Sequence, residues 1–315
     1  MCTAVSLTHE NNHFFARTLD LEYHYNESVT LAPRRYPFTF TDGTHTADHP
    51  ALLGMAYVID GYPLYYDAMN EHGLCMAGLA FPHFCTYAPH TSAKQKPSLA
   101  PFELIPYVLT HSRTVGDARR LLSGSVLTDI PFSDALPNQP MHWMIADSHA
   151  CAVLETDETG AICWYDNECG VMTNSPPFPR QSAGFSRYHH LTPYPGRDLE
   201  TGHLMRGMGA VGLPGDWSSP SRFIRASFLR RHMRCDTADA AFSLLDSVKV
   251  PRGASYTEDG KPIVTVYSAV MDARKMSYYY RTEEHPHVRS FRPTPLALRG
   301  NVCISEHIKK VNTLP

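Results

Sequence analysis

Residues 3–8 (Thr-Ala-Val-Ser-Leu-Thr) alternate between polar and apolar positions, the period-two signature of a strand with one buried face. Residues 14–20 offer a hairpin partner across the polar turn Glu10-Asn11-Asn12. Residues 52–58 and 73–79 read as further buried strands. A meander follows over residues 141–147, 152–156 and 161–165, turning at Asp157-Glu158-Thr159-Gly160. Residues 264–272 and 275–281 form a late hairpin. Helices are predicted over 101–109, with Pro101 near its start, over 115–122, and over the amphipathic stretches 221–231 and 237–247. Ser218 or Ser219 caps the third of these helices. Residues 88–101 read as an exposed connection before the first helix. Strands come in antiparallel pairs with helices grouped between them, which predicts an α+β layered architecture rather than βαβ alternation. No internal repeat or long linker divides the 315 residues, which read as one domain, 1–315.

Composition narrows the class. An apolar fraction of 43% and a charged fraction of 19% suit a globular chain with a sizeable core. A net charge of −3 gives no electrostatic argument for nucleic acid or an anionic membrane. No basic region leads into an N-terminal apolar segment, and no apolar run reaches 18 residues, so the expected location is cytoplasmic. Eight cysteines fit that compartment as free thiols, most of them in apolar runs such as Gly73-Leu74-Cys75-Met76-Ala77. No CxxC occurs, and the pairs His9/His13, His45/His49 and His285/His287 lack four-ligand spacing, so no metal site is expected.

The candidate chemistry starts at Cys2. Removal of Met1 would put a thiol and a free α-amine on one residue, a nucleophile with its own base. Such a nucleophile needs a cation for its thiolate, a group to orient its amine and donors for a developing oxyanion. The hairpin partner supplies Arg17 and Asp20. Asn174, ahead of the Ser175-Pro176-Pro177 turn, has an amide that can donate to an oxyanion. Arg222 and Arg225 lie three apart on one helical face. Each feature alone also fits an ordinary surface ion pair, turn or solvated helix face.

Together these pieces resemble the choloylglycine hydrolase family, the conjugated bile salt hydrolases and penicillin V acylases. The matching segments run in family order over nearly the whole chain: Met1-Cys2-Thr3, Phe15-Ala16-Arg17-Thr18-Leu19-Asp20, Asn70-Glu71-His72-Gly73-Leu74, Ala77-Gly78-Leu79, His142-Trp143-Met144-Ile145, Val171-Met172-Thr173-Asn174-Ser175-Pro176, Gly212-Leu213-Pro214-Gly215-Asp216, Ser221-Arg222-Phe223-Ile224-Arg225 and Val250-Pro251-Arg252-Gly253. The resemblance implies an N-terminal-nucleophile hydrolase fold, an αββα sandwich of two antiparallel sheets between helical layers. It implies Cys2 as nucleophile and, through its amine, general base, with Arg17 and Asp20 holding thiolate and amine. Asn174 and the backbone N–H of Ala80 would form the oxyanion hole. Arg225 would be the second active-site cation, with Arg222 in its place if the alignment is off by a turn. Ala80 departs from the family, where bile salt hydrolases usually carry Asn and penicillin V acylases often Tyr, although any residue except proline keeps the N–H. The implied substrate is a glycine- or taurine-conjugated bile salt, with penicillin V and a binding protein that has lost turnover as alternatives. Tyr23, Tyr25, Tyr57, Tyr62, Tyr65, Phe81 and Phe132 are candidates to line its apolar pocket. The resemblance calls for no cofactor, and carries over a homotetramer.

Overall fold

The structure is a computed structural model that describes residues 1–91 and 97–308. The predicted first hairpin is present as β1 (Cys2–His9) and β2 (Asn12–Leu21), in a register that places Cys2 opposite Leu19 and Ala4 opposite Arg17. β2 pairs on its other edge with Pro262–Asp272, which continues into Ser277–Thr282 and Arg289–Phe291, while Val171–Met172 closes the β1 edge. A second antiparallel sheet runs in the order Ile162–Asp166, Cys151–Thr156, Met141–Ala146, Cys75–Ala80, Tyr62–Asn70, Leu52–Ile59, Glu27–Ala32, Ile304–His307.

Two apolar clusters define the layers. One fills the space between the sheets with Cys2, Ala4, Leu19, Met55, Ala77 and Leu79, and continues under the helices α3 (Phe178–Phe185), α4 (Ser219–His232) and α5 (Ala238–Asp246). The other packs the far face of the second sheet, through Leu52, Ala56, Ala68 and Met76, against α1 (Leu104–His111) and α2 (Val115–Leu121). The order is helix, sheet, sheet, helix, so the αββα expectation holds. Strand alternation makes this possible: residues of one parity face the other sheet and residues of the opposite parity face the helices.

Several boundaries differ from the sequence reading. Tyr62–Asn70, Glu27–Ala32, Ile304–His307 and α3 were not predicted. Pro101–Glu103 forms a 3-10 turn before α1, and Ser218 is the cap of α4, its hydroxyl accepting from the Ser221 N–H. The proposed exposed connection 88–101 is not uniformly exposed. Ala88 is buried against Thr128, and Ser98–Leu99 pairs in parallel with Val126–Leu127; residues 92–96 lie outside the described residues.

Two bulges matter for the site. On Pro262–Asp272 the register shifts between Thr265, opposite Asp20, and Tyr267, opposite Leu19. Residues two apart normally share a face, and the extra residue lets Thr265 face Asp20 while Tyr267 turns toward the space between the sheets. On Tyr62–Asn70 the register shifts so that Met55 opposes Asp67 and Ala56 opposes Tyr65, leaving Tyr66 without a partner. Tyr65 thereby joins the α1-side cluster while Asp67 faces the first sheet.

Candidate active site

Cys2 begins β1 and is 3% exposed. Its backbone N–H donates to Asn174 Oδ1 at 2.8 Å. Met1 extends the strand pairing by one residue: its ammonium donates to the Asp20 carbonyl at 2.7 Å and its carbonyl accepts from the Asp20 N–H at 2.9 Å.

Register places Arg17 on the same face of the hairpin as Cys2, and Asp20 on the opposite face. Arg17 is wholly buried. Its Nη1 donates to the Tyr66 carbonyl (3.0 Å), the Gly78 carbonyl (3.4 Å) and Asp67 Oδ2 (3.5 Å), while Nη2 is buried without a partner among the described residues. The bulge at Tyr66 leaves that carbonyl outside the regular ladder and available to the guanidinium. Burial works against the Arg17 charge, but the acidic groups of Tyr267, Cys2, Asp67 and Tyr278 around it carry its pKa above the ordinary arginine value. Asp20 is also wholly buried and accepts from Thr265 Oγ1 at 2.6 Å and Thr18 Oγ1 at 3.3 Å.

Asn174 joins the pieces. Its Oδ1 accepts from Cys2 N and from Arg222 Nη2 (2.7 Å), and its Nδ2 donates to the Ala80 carbonyl at 2.8 Å, leaving one amide hydrogen for another acceptor. Arg222, wholly buried on α4, also donates through Nη1 to the Cys2 carbonyl (2.6 Å) and Thr3 Oγ1 (2.8 Å). Burial lowers its pKa from the usual arginine value, with Asp20 and Cys2 opposing the shift. Arg225 is elsewhere. It donates to the carbonyls of Ser247 (2.9 Å), Pro214 (2.7 Å) and Asp216 (2.7 Å), tying the loop before α4 to the end of α5. The structure thus brings Arg222, one turn earlier on α4, to Cys2 and Asn174, and does not bring Arg225, the arginine expected there, to either.

Sequence reasoning missed the groups that fix Asn174. Its backbone N–H donates to Ser219 Oγ at 2.9 Å, and Gln181 Nε2 donates to its carbonyl. The buried His142 places Nε2 2.8 Å from the carbonyl of the adjacent Thr173, and its Nδ1 lies 3.3 Å from Glu155 Oε1. His142 stood in a segment matched to the family without a role of its own, and no reading of the sequence picked out Gln181.

A cavity of about 250 Å³ is lined by Tyr57, Leu64, Tyr65, Tyr66, Phe102, Phe132, Met141 and Trp143, with Asn138 and Gln139 among its polar edges. Gly78 also lines it, and a Cβ there would come within 2.9 Å of Met141 and 3.1 Å of Trp143, so glycine keeps the cavity open. Tyr66 and Gly78 supply both this lining and carbonyls to Arg17, but neither Arg17 nor Cys2 lines the cavity, and its Tyr65, Met141 and Trp143 belong with the cluster on the α1 side of the second sheet. Of the proposed lining residues, Tyr57, Tyr65 and Phe132 are in place. Tyr62 sits behind them against Phe132 and Phe102. Phe81 is stacked flat on His142 at 4.3 Å, and Tyr23 and Tyr25 form an exposed ring pair. These four do not line the cavity.

A buried thiol at a strand start, two buried guanidiniums and a tethered amide form a constellation suited to acyl transfer. Comparison with known proteins agrees. Residues 2–300 match the choloylglycine hydrolase family of linear amide C–N hydrolases. The chain is 38% identical over 300 residues to a bile salt hydrolase/transferase of Lactiplantibacillus plantarum, covering 92% of this chain and 91% of that protein. It superposes on a crystal structure of a variant of the conjugated bile acid hydrolase from Clostridium perfringens with a TM-score of 0.91, at 30% identity, over 100% of this chain and 99% of the other. Penicillin V acylase from Agrobacterium tumefaciens shares the fold, with a TM-score of 0.76 at 21% identity over 97% and 90% of the two chains. The chain belongs to the choloylglycine hydrolase family and is a hydrolase of linear amide C–N bonds.

Proposed function

We infer that the protein is a bile salt hydrolase that cleaves glycine- or taurine-conjugated bile acids, working from Cys2 after loss of Met1. The observation that carries the mechanism is the bond from Cys2 N to Asn174 Oδ1, an oxygen also held by Arg222. Removal of Met1 turns that N–H into an amine already oriented by a fixed acceptor. The bile-acid part of the reading rests on the relatives at 30–38% identity.

In the proposed reaction the Cys2 thiolate forms a bond to the amide carbonyl carbon. The carbonyl electrons move onto oxygen, where the free hydrogen of Asn174 Nδ2 and the backbone N–H of Ala80 receive them. The oxyanion collapses, the C–N bond breaks, and the α-ammonium of Cys2 protonates the departing amine. Water, deprotonated by the same amine, attacks the thioester and releases the free bile acid and the thiol. Arg17 compensates the thiolate from the space between the sheets. Arg222 holds the Cys2 carbonyl and Asn174 together from the helix side.

The test is purified protein with Met1 shown absent by intact mass, incubated with glycocholate, taurocholate and penicillin V, with Cys2→Ala as blank. Release of bile acid that vanishes in Cys2→Ala is the expected result. Turnover of penicillin V alone would move the protein to the acylase branch, and turnover of none would leave a binding protein.

A further inference from the structure

Asp67 was singled out by no motif, yet it sits at the centre of a closed polar cluster between the sheets. It is wholly buried, as are Arg17, Tyr267 and Tyr278. Tyr267 donates its hydroxyl to Oδ2 at 2.6 Å, Tyr278 donates to Oδ1 at 2.7 Å, and Arg17 Nη1 reaches Oδ2 at 3.5 Å. The two tyrosines come from adjacent strands of the first sheet and the carboxylate from the second, so the cluster bridges the sheets directly behind the nucleophile's arginine. Burial pushes both phenols well above their usual range, so both are donors at neutral pH. A buried carboxylate with two short hydroxyl donors and a guanidinium is satisfied, and none of its partners can leave without stranding a charge.

The consequence falls on Arg17. Its Nη1 is occupied by Asp67 and two carbonyls, and its Nη2 is buried with no partner among the described residues. A buried guanidinium arm without an acceptor is costly unless something else fills the place. We propose that Asp67, locked by Tyr267 and Tyr278, is the positioning residue that anchors one arm of Arg17 and so reserves the other for the Cys2 thiolate or the substrate oxygen. Asp67 touches neither Cys2 nor the substrate, and it acts only through Arg17. The inference rests on the reading of Cys2 as the nucleophile.

The sign of a pH effect separates positioning from plain charge. The titratable groups around the cluster are Arg17 and Cys2 on the hairpin, Tyr267 and Tyr278 on the first sheet, Tyr66 and Cys75 on the second, and Arg222 and Asp20 on the far side of β1 and β2. Asp67→Asn removes a negative charge. If that charge acted only through space, its loss would favour a nearby thiolate, and Cys2 would alkylate faster at lower pH. If Asp67 positions Arg17, its loss withdraws the cation from the thiolate, and the alkylation curve moves to higher pH.

The experiment is iodoacetamide alkylation of Cys2 against pH, read on the N-terminal peptide by mass spectrometry, for the native protein, Asp67→Asn, Tyr267→Phe and Tyr278→Phe, with melting temperatures for each. The expected result is slower alkylation of Asp67→Asn at pH 7, by about tenfold or more, with its curve displaced to higher pH. Each tyrosine variant, which keeps the ring packing, should show a smaller displacement in the same direction. With glycocholate, kcat should fall by roughly 10²-fold in Asp67→Asn while KM stays within about threefold, the pattern of a misplaced group. A curve displaced to lower pH, or one unmoved while only melting temperatures fall, would overturn the proposal. Should Asp67→Asn fail to fold, the tyrosine variants decide by the same criterion. Native protein that alkylates as expected but hydrolyses no bile salt would defeat the functional reading and leave this one standing.

Discussion

The side-chain amide of Asn174 has three polar partners: Cys2 N and Arg222 on its oxygen, and the Ala80 carbonyl on its nitrogen. Its remaining hydrogen is the one that would meet the oxyanion. Asn174→Ala deletes that donor and also the acceptor of the Cys2 amine, so kcat for glycocholate should fall by at least the roughly 10²–10³ of a single oxyanion donor, about 3–4 kcal/mol. The two arginines of α4 should separate cleanly. Arg222→Ala strips partners from Cys2, Thr3 and Asn174 together and should lower kcat by roughly 10² or more. Arg222→Lys should recover little of it, because an ammonium cannot reproduce the fork. Arg225→Ala should leave kcat within a few-fold and cost about 2–3 kcal/mol of stability, read by urea unfolding, because it strands carbonyls of the loop and of α5. Equal loss of kcat in the two alanine variants would contradict the assignment of Arg222.

At the scale of elements, the β1–β2 hairpin carries Cys2 at one end and a pH-sensitive histidine at the other. His13 on β2 is buried, with Nε2 3.1 Å from Ser6 Oγ. Burial lowers its pKa to about 4, against weaker opposition from Asp147 and the Gly73 carbonyl. The unfolded chain binds a proton at this histidine near pH 6.5 and the folded one only near pH 4, so stability is lost as pH falls through that window. Between pH 7 and pH 5 the loss from this group is about 2 kcal/mol, and His13→Gln should unfold in urea with that much less pH dependence. The hairpin was legible in the sequence because alternation and a polar turn state its register directly. So were Cys2, Arg17, Asp20 and Asn174, which belong to short local motifs. Tyr62–Asn70 was hidden because its bulge at Tyr66 breaks the alternation that reveals a strand. α3 is eight residues long and starts behind two prolines, too short for a clear period. Arg222 and Arg225 share a helical face, and only the rotation of α4 against β1 tells them apart. Asp67 meets Arg17 across 50 residues of chain and Tyr278 across 211, distances that no spacing rule spans.

At the scale of the whole molecule, one excursion stands outside the two large sheets and exposes several large apolar side chains. The chain makes it between Asn174 and Arg222, where Gly196–Arg197 and Leu204–Met205 hydrogen-bond to each other and to no other described strand. Phe178 and Leu191 are buried, but four of its large apolar side chains are turned outward: Leu199 is 98% exposed, Tyr194 73%, Leu204 66% and Val211 63%. Single exposed apolar residues are ordinary, but several on one small excursion are the mark of a surface that is covered in the working state. If the homotetramer expected from the family resemblance forms, a second copy of this chain would be the cover. Size-exclusion chromatography with light scattering should therefore find several chains per particle, with a melting temperature that rises with protein concentration. Leu199→Glu combined with Leu204→Glu places charges where a partner would have to bury them, and should shift the protein to smaller species and remove the concentration dependence. The Asn174–Arg222 contact is made by elements on either side of the excursion rather than within it, so the separated chains should retain the pH profile of Cys2 alkylation. A native protein that runs as one chain at all concentrations would show that this excursion is exposed for some other partner.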